Sequence, residues 1–225
     1  MPDPVAAIGA ALLAGLAVLV GTAPLLRRLP EPHADDPGAD RKIRYDRLAT
    51  PRFVLGVTAV ATAAALVGWA SMPPRLQPLW MVLATVGVLL AAIDAVTTWL
   101  PRRLTYLGWL AMLAAAGLSA ALGAGADELL RGVLGGLVAG LVYWLIWTLT
   151  RGGFGFGDVR FAPLLGTAAA AHSWALLAAA LLLGSVLGAV HGLLRLLRRE
   201  PAEFPYAPSM LAGTYLAAVT TWWLG

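Results

Sequence analysis

Gly152-Gly153-Phe154-Gly155-Phe156-Gly157-Asp158-Val159-Arg160 is the stretch on which the reading of this chain turns. Four glycines precede a single aspartate, and long apolar runs lie on both sides. Runs of that kind satisfy their backbone in a bilayer only as helices, so the stretch joins two membrane helices. Glycine opens backbone conformations closed to other residues and lets a second chain come near. Two readings compete. In one, the stretch is a connector that ends in an N-capping Asp158. In the other, it is half of a site, completed by Asp94, the other carboxylate set within the apolar part of the chain.

Working outward, the composition fixes the class. Of 225 residues, 60% are hydrophobic and only 12% charged, against about 25% charged in a soluble domain, and the mean hydropathy is +0.78. A membrane span needs roughly 20 mainly apolar residues. The expected fold is all-α: a polytopic membrane protein of about eight transmembrane helices with both termini outside. The spans are read at about 4–26, 52–71, 77–97, 103–122, 130–150, 158–172, 173–197 and 208–224. The division at His172 and Ser173 rests on two polar residues, and a single re-entrant segment is the competing arrangement. Residues 1–26 form the first span and not a cleaved signal peptide, because Asp3 precedes the run and Arg27 and Arg28 follow it. Residues 27–51 form a short cytoplasmic loop, and 52–225 the helical core.

The arginines and lysines set the orientation. Arg27, Arg28, Arg41, Lys42, Arg44, Arg47, Arg52, Arg102, Arg103, Arg151, Arg160, Arg195, Arg198 and Arg199 fall in odd-numbered loops or at their edges, and only Arg75 and Arg131 in even ones. Basic residues concentrate on the cytoplasmic side, so the odd loops are cytoplasmic. The charge of +4 is therefore a topology signal and does not imply nucleic acid. In the first loop, the proline-rich part from Pro30 to Gly38 reads as disordered. The basic part from Arg41 to Arg47 reads as a solvated segment facing anionic lipid.

Asp94 interrupts an apolar helix, Leu89-Leu90-Ala91-Ala92-Ile93-Asp94-Ala95-Val96, near its cytoplasmic end. An ionisable residue inside a span is a functional-site hypothesis by default; the alternative is a helix-end carboxylate paired with Arg102 or Arg103. Two spans separate Asp94 from Asp158, and an even number of crossings returns the chain to the same face. Two carboxylates in a partly desolvated site share one proton and can activate a water while protonating a leaving amine. No cysteine is present, and His33, His172 and His191 fall in separate places. No metal and no cofactor is therefore expected. Gly132, Gly136 and Gly140, and again Gly184, Gly188 and Gly192, are spaced for close helix packing. Trp99, Trp109, Trp222 and Trp223 suit the membrane interfaces.

These residues carry a resemblance. Gly155-Phe156-Gly157-Asp158-Val159-Arg160 resembles the Gly-x-Gly-Asp-Val-Lys motif of the type IV prepilin peptidases, aspartic proteases of the bacterial inner membrane. Asp94 with Leu100-Pro101-Arg102-Arg103-Leu104-Thr105 resembles that family's first-aspartate motif. Pro205-Tyr206-Ala207-Pro208 resembles the Pro-Phe-Gly-Pro that opens its last span. The resemblance covers roughly residues 78–224. It implies cleavage of prepilin or pseudopilin leader peptides after a glycine at the cytoplasmic face, with Asp94 and Asp158 as the catalytic pair. Gly155, Gly157, Pro101 and Arg160 belong to the supporting loops. Arg160 stands where Lys is usual, and Arg103 where Asn is common. Many members have a large first loop with two Cys-x-x-Cys pairs linked to methylation of the mature pilin. Here that loop is short and lacks cysteine, so no methyltransferase activity is expected. Two other classes stay open: a presenilin-type intramembrane protease, and a carrier or channel using the aspartates for protons or cations.

Overall fold

The computed structural model describes residues 4–33, 42–151, 155–199 and 205–224. Among the described residues, eight long helices follow the eight apolar stretches, and no strand occurs. They are α1 Pro4–Leu26, α2 Pro51–Ser71, α3 Pro74–Thr97, α4 Arg102–Ala121, α5 Ala126–Leu149, α6 Phe156–His172, α7 Trp174–Leu197 and α8 Ala207–Leu224. Six are each long and apolar enough to cross a membrane. The shorter two are α6 and α8, of 17 and 18 residues. At 1.5 Å per residue α6 spans ~26 Å. The chain is an all-α polytopic membrane protein.

The division between the sixth and seventh helices falls at Ser173. Its backbone is extended, and its hydroxyl accepts a hydrogen bond from the amide of Leu176 at 3.1 Å. A serine in this position satisfies one of the amides that a helix start leaves without a partner.

The core sits around α3. Two-thirds of its apolar window (67%) is buried, against 22–33% in the other five membrane-length helices. Trp80, Leu83, Leu90 and Ile93 are fully enclosed, and Trp80 meets Tyr215 of α8 edge-on, with centroids 5.3 Å apart. Midway along α3, Leu83–Gly87 forms a π turn. The extra residue in that turn rotates everything after it about the helix axis, and π turns concentrate at functional sites.

Helices α5 and α6 touch backbone to backbone. A Cβ at Gly135 would overlap Ala170, and one at Gly166 would overlap the carbonyl of Gly135. Gly132 and Gly136 face Thr167, and Gly140 faces Pro163. The spacing of glycines in α5 thus serves packing, as expected of small residues in membrane helices. In α7, Gly184 lies against Met210 of α8 in the same way.

Arg75 and Arg131, read from the sequence as lying in even-numbered loops, fall in the first two turns of α3 and α5 and have partners of their own. Arg75 forms a two-pronged ion pair with Glu128, with Nη2 to Oε1 at 2.9 Å and Nε to Oε2 at 2.9 Å. Arg131 donates to the carbonyls of Ala170, Ala171 and His172, which are among the acceptors left open at the end of α6.

The first loop departs from the solvated reading. Of the stretch read as disordered, Pro30 to Gly38, residues 34–38 lie outside the described residues, as does Arg41 of the basic part, whereas Glu31 is held in place by Lys42 and Tyr45. The segment from Lys42 to Thr50 folds back onto the helices. Tyr45 is 1% exposed, in a 3-10 turn over Tyr45–Leu48. The Lys42 ammonium pairs with Glu31 at 2.6 Å and lies 3.2 Å from the centre of the Tyr45 ring. Glu31 also accepts from the Tyr45 amide at 2.7 Å. Burial draws the Lys42 ammonium below its ordinary pKa, against the pull of Glu31. The basic segment is thus in part an internal clasp. The aromatic face and the adjacent carboxylate offset part of the cost of taking the Lys42 ammonium out of water. Trp109 is 41% exposed, as an interfacial tryptophan should be, while the side chains of Trp222 and Trp223 lie outside the described set.

Candidate functional site

Asp94 lies one turn before the end of α3. The helix stops at Thr98, whose left-handed backbone (φ 55°) returns its amide to the Asp94 carbonyl at 2.8 Å. The Thr97 hydroxyl donates to the Ile93 carbonyl and accepts from the Trp99 amide. The turn closes at Pro101, which precedes the first residue of α4 and cannot itself donate to a helix ladder. Pro101 thereby fixes the corner beside Asp94.

Asp94 is 3% exposed, and its Oδ2 accepts a hydrogen bond from the Ala207 amide at 3.1 Å. The Tyr206 main chain is a second partner. Ala207 is the first residue of α8, so the carboxylate sits at that helix's N-terminus, where free amides and the helix dipole favour negative charge. The alternative pairing with Arg102 or Arg103 does not occur. Both arginines are exposed, and among the described residues no ion pair involves Asp94.

Asp158 is 6% exposed. It is the third residue of α6 and not the cap, since Gly155 holds the cap position without a side-chain bond. The connector reading, which made Asp158 an N-cap, therefore fails in its particulars. Oδ1 of Asp158 is buried and has no hydrogen-bond partner among the described residues. A buried carboxylate oxygen in that state costs stability, and such atoms in native proteins call for an explanation in strain or in chemistry. Asp158 lies close enough to Asp94 for the two charges to act on each other. The fold thus brings together the two aspartates singled out in the sequence.

The glycines beside them play different parts. Leu100, in the turn after Asp94, lies where a side chain on Gly157 would go, its Cβ 2.9 Å from that position. The missing side chain lets the start of α6 close onto the α3–α4 turn, which joins the surroundings of the two carboxylates. Gly155 has an ordinary backbone (φ −66°), and a Cβ there would meet only Oδ2 of Asp158, at 3.1 Å. Gly152, Gly153 and Phe154 lie outside the described residues. Arg160 does not join the carboxylates. Its guanidinium stacks on Phe156, 4.6 Å from the ring centre, and faces the charge of Arg102. Its carbonyl accepts from the Trp109 indole at 3.0 Å. Among the described residues no three His, Asp or Glu side chains gather as metal ligands.

The sequence model of the type IV leader peptidase family matches residues 81–193, half of the chain. The chain belongs to the type IV leader peptidase family. No match was found among curated proteins or among solved structures. A leader peptidase is a hydrolase of peptide bonds, and this one is carried by a multi-pass helical membrane protein. The matched region contains both Asp94 and Asp158.

Three tyrosines of this leader peptidase border the pair: Tyr206, which lies in the stretch Pro205-Tyr206-Ala207-Pro208, and Tyr143 and Tyr45, which the sequence reading did not single out as site residues. Tyr143 of α5 is 2% exposed, is hydrogen-bonded to Tyr206 and Ser185, and lies within reach of the Asp158 charge. Its ring meets that of Tyr206 edge-on, at 6.0 Å. Tyr206 fits into a slot made by Gly188 of α7, where a Cβ would overlap its ring. Tyr45 reaches the Asp94 side from the first loop; its burial, with the charges of Glu31 and Asp94 adding, holds its phenol well above the ordinary pKa. A signal existed for Tyr143, because it continues the buried stripe Gly132, Gly136 and Ala139 at helical spacing. Tyr45 had none, since a tyrosine among charges in a polar loop reads as surface.

Proposed function

We propose that this leader peptidase is an aspartic endopeptidase that removes the leader from prepilin or pseudopilin substrates at the cytoplasmic face of a bacterial inner membrane, with Asp94 and Asp158 as its acid–base pair. The observation that carries this reading is that two buried aspartates from separate helices lie near enough for their charges to interact, one of them with an oxygen that has no partner among the described residues. The pair holds one proton. The ionised carboxylate takes a proton from water as the water oxygen attacks the scissile carbonyl carbon. The protonated carboxyl gives its proton to the carbonyl oxygen. Collapse of the tetrahedral species breaks the C–N bond as a proton passes to the leaving amine. Neither a metal nor a covalent intermediate is required. Gly157 and Pro101 hold the two main-chain segments together, and Gly155 leaves the Asp158 carboxylate uncrowded.

The reading is tested by co-expression with candidate prepilins in a strain without other leader peptidases, scored by loss of the leader on a gel. Wild-type protein should cut at least one of them, and the double variant Asp94→Asn/Asp158→Asn none. Ion flux that depends on both aspartates, with every leader left intact, would favour a carrier instead. Mass spectrometry of the processed product should show an unmethylated N-terminus, in keeping with the absence of cysteine and the short 27–51 loop.

A further inference from the structure

The first loop brings a phenol to the carboxylates. Tyr45 is buried, and it is held there by charged groups that burial penalises. The Lys42 side chain, itself 1% exposed, lies over the Tyr45 ring and pairs with Glu31. The other oxygen of Glu31 accepts from the Tyr45 amide at 2.7 Å. One carboxylate thus holds the main chain of Tyr45 directly and its ring through Lys42. A buried ion pair is a poor source of stability; here it fixes the place of one side chain.

That place is beside Asp94. Tyr45 comes within reach of the Asp94 charge. A few residues on, Arg52 and Phe53 of α2 line one recess together with Ala95 and Pro208. These two are the neighbours of Asp94 and of Ala207, whose amide holds the Asp94 carboxylate. The chain from Tyr45 to Phe53 therefore runs along the side of the site that α3 and α8 form. The Tyr45 hydroxyl takes part in no hydrogen bond among the described residues, although a buried tyrosine ordinarily finds a partner for its O–H. Burial keeps that phenol protonated, so it is a donor and not a base.

We propose that Tyr45 is a further catalytic residue of this site: its phenol donates a hydrogen bond to the carbonyl oxygen of the peptide bond under attack, and the Lys42–Glu31 clasp holds the ring for that contact. The proposal rests on the peptidase reading above. As water adds to the carbonyl carbon, charge gathers on that oxygen. A fixed donor in a site poor in water then stabilises the transition state more than the substrate. The phenol keeps its proton throughout, and the proton that the oxygen gains still comes from the protonated carboxyl.

The test uses the full chain in lipid with a prepilin that it cuts. Tyr45→Phe retains the ring under Lys42 and the amide bonded to Glu31, so the protein should accumulate normally. Its kcat should fall about tenfold or more, as for the loss of one donor to a developing oxyanion, with KM nearly unchanged. Glu31→Gln keeps an oxygen for the Tyr45 amide but loses the charge that holds Lys42. It should lower kcat severalfold in the wild type and no further in the Tyr45→Phe background, because the clasp acts through the hydroxyl already lost. Wild-type kcat in Tyr45→Phe, or a loss carried by KM alone, would overturn the assignment. So would an equal loss from Glu31→Gln in both backgrounds, the mark of a loop that only supports the fold. If the wild type cuts no leader, the peptidase reading falls and this assignment with it; if the wild type and Tyr45→Phe cut alike, only the role of Tyr45 is lost.

Discussion

Asp94 and Asp158 reach one site by different means. Asp94 lies one turn before the end of α3, the most enclosed of the six membrane-length helices, and it is held there by the amide that opens α8. Asp158 begins a short helix, and one of its oxygens has no partner. The first carboxylate has structural work as well as its proposed chemistry, because it satisfies part of a helix start. The second contributes no hydrogen bond through Oδ1, and its burial there is a cost to the fold. Such an asymmetry separates the effects of substitution at the two positions on stability from those on activity.

The largest effect is expected at the carboxylates. Asp94→Asn and Asp158→Asn should each lower leader cleavage at least a hundredfold, measured per folded protein in the membrane. Alanine distinguishes them. Asp158→Ala should accumulate like wild type, whereas Asp94→Ala should lower the yield, by an amount of the order of a lost helix cap, about 1 kcal/mol. Asp94→Asn retains an oxygen for the Ala207 amide and should accumulate normally. Near wild-type cleavage by normalised Asp94→Asn would break the comparison, leaving Asp94 a structural residue only. The pH–rate profile of the wild type should be bell-shaped, with two apparent pKa values that belong to the pair.

A smaller and unequal effect is expected at the two glycines. In Gly157→Ala the new methyl meets Leu100, whose Cβ stands at 2.9 Å, so α6 must draw back from the Asp94 turn. Activity should fall at least tenfold while the protein stays in the membrane. In Gly155→Ala the methyl faces only the flexible end of Asp158, and the loss should be severalfold. Equal losses, or none, would show that the close contact with Leu100 does not set the geometry of the pair.

The smallest effect is expected from Tyr206→Phe. The ring still fills the slot at Gly188, but the hydroxyl bonded to Tyr143 is lost. Because Tyr206 acts through the main chain that holds Asp94, kcat should fall severalfold with KM unchanged. A rise in KM alone would instead mark Tyr206 as a contact to the peptide.

Much of this was legible in the chain itself. Uncharged runs of membrane length can satisfy their backbone only as helices, so hydropathy located all eight, within a few residues. The division between α6 and α7 was marked in the sequence only by the polar pair His172 and Ser173, and a serine before an apolar run is also a helix-start signal. Asp94 was legible because a carboxylate within an apolar helix is costly enough to be rare, and Asp158 because four glycines crowd before it between two apolar runs. The glycines of α5 were read as packing from their spacing, which is the property a neighbouring helix meets.

Tertiary structure alone decided the rest. The amide that holds Asp94 lies 113 residues away in sequence, and no local pattern records which helix start will lie beside which carboxylate. The burial of Tyr45 depends on Lys42 and Glu31 meeting across the first loop, where composition indicated only polarity. The π turn in α3 follows no breaker residue. Hydropathy and backbone satisfaction belong to a segment and can be read along it. Contacts between distant segments depend on how their surfaces fit, and that is settled only when all the helices pack at once.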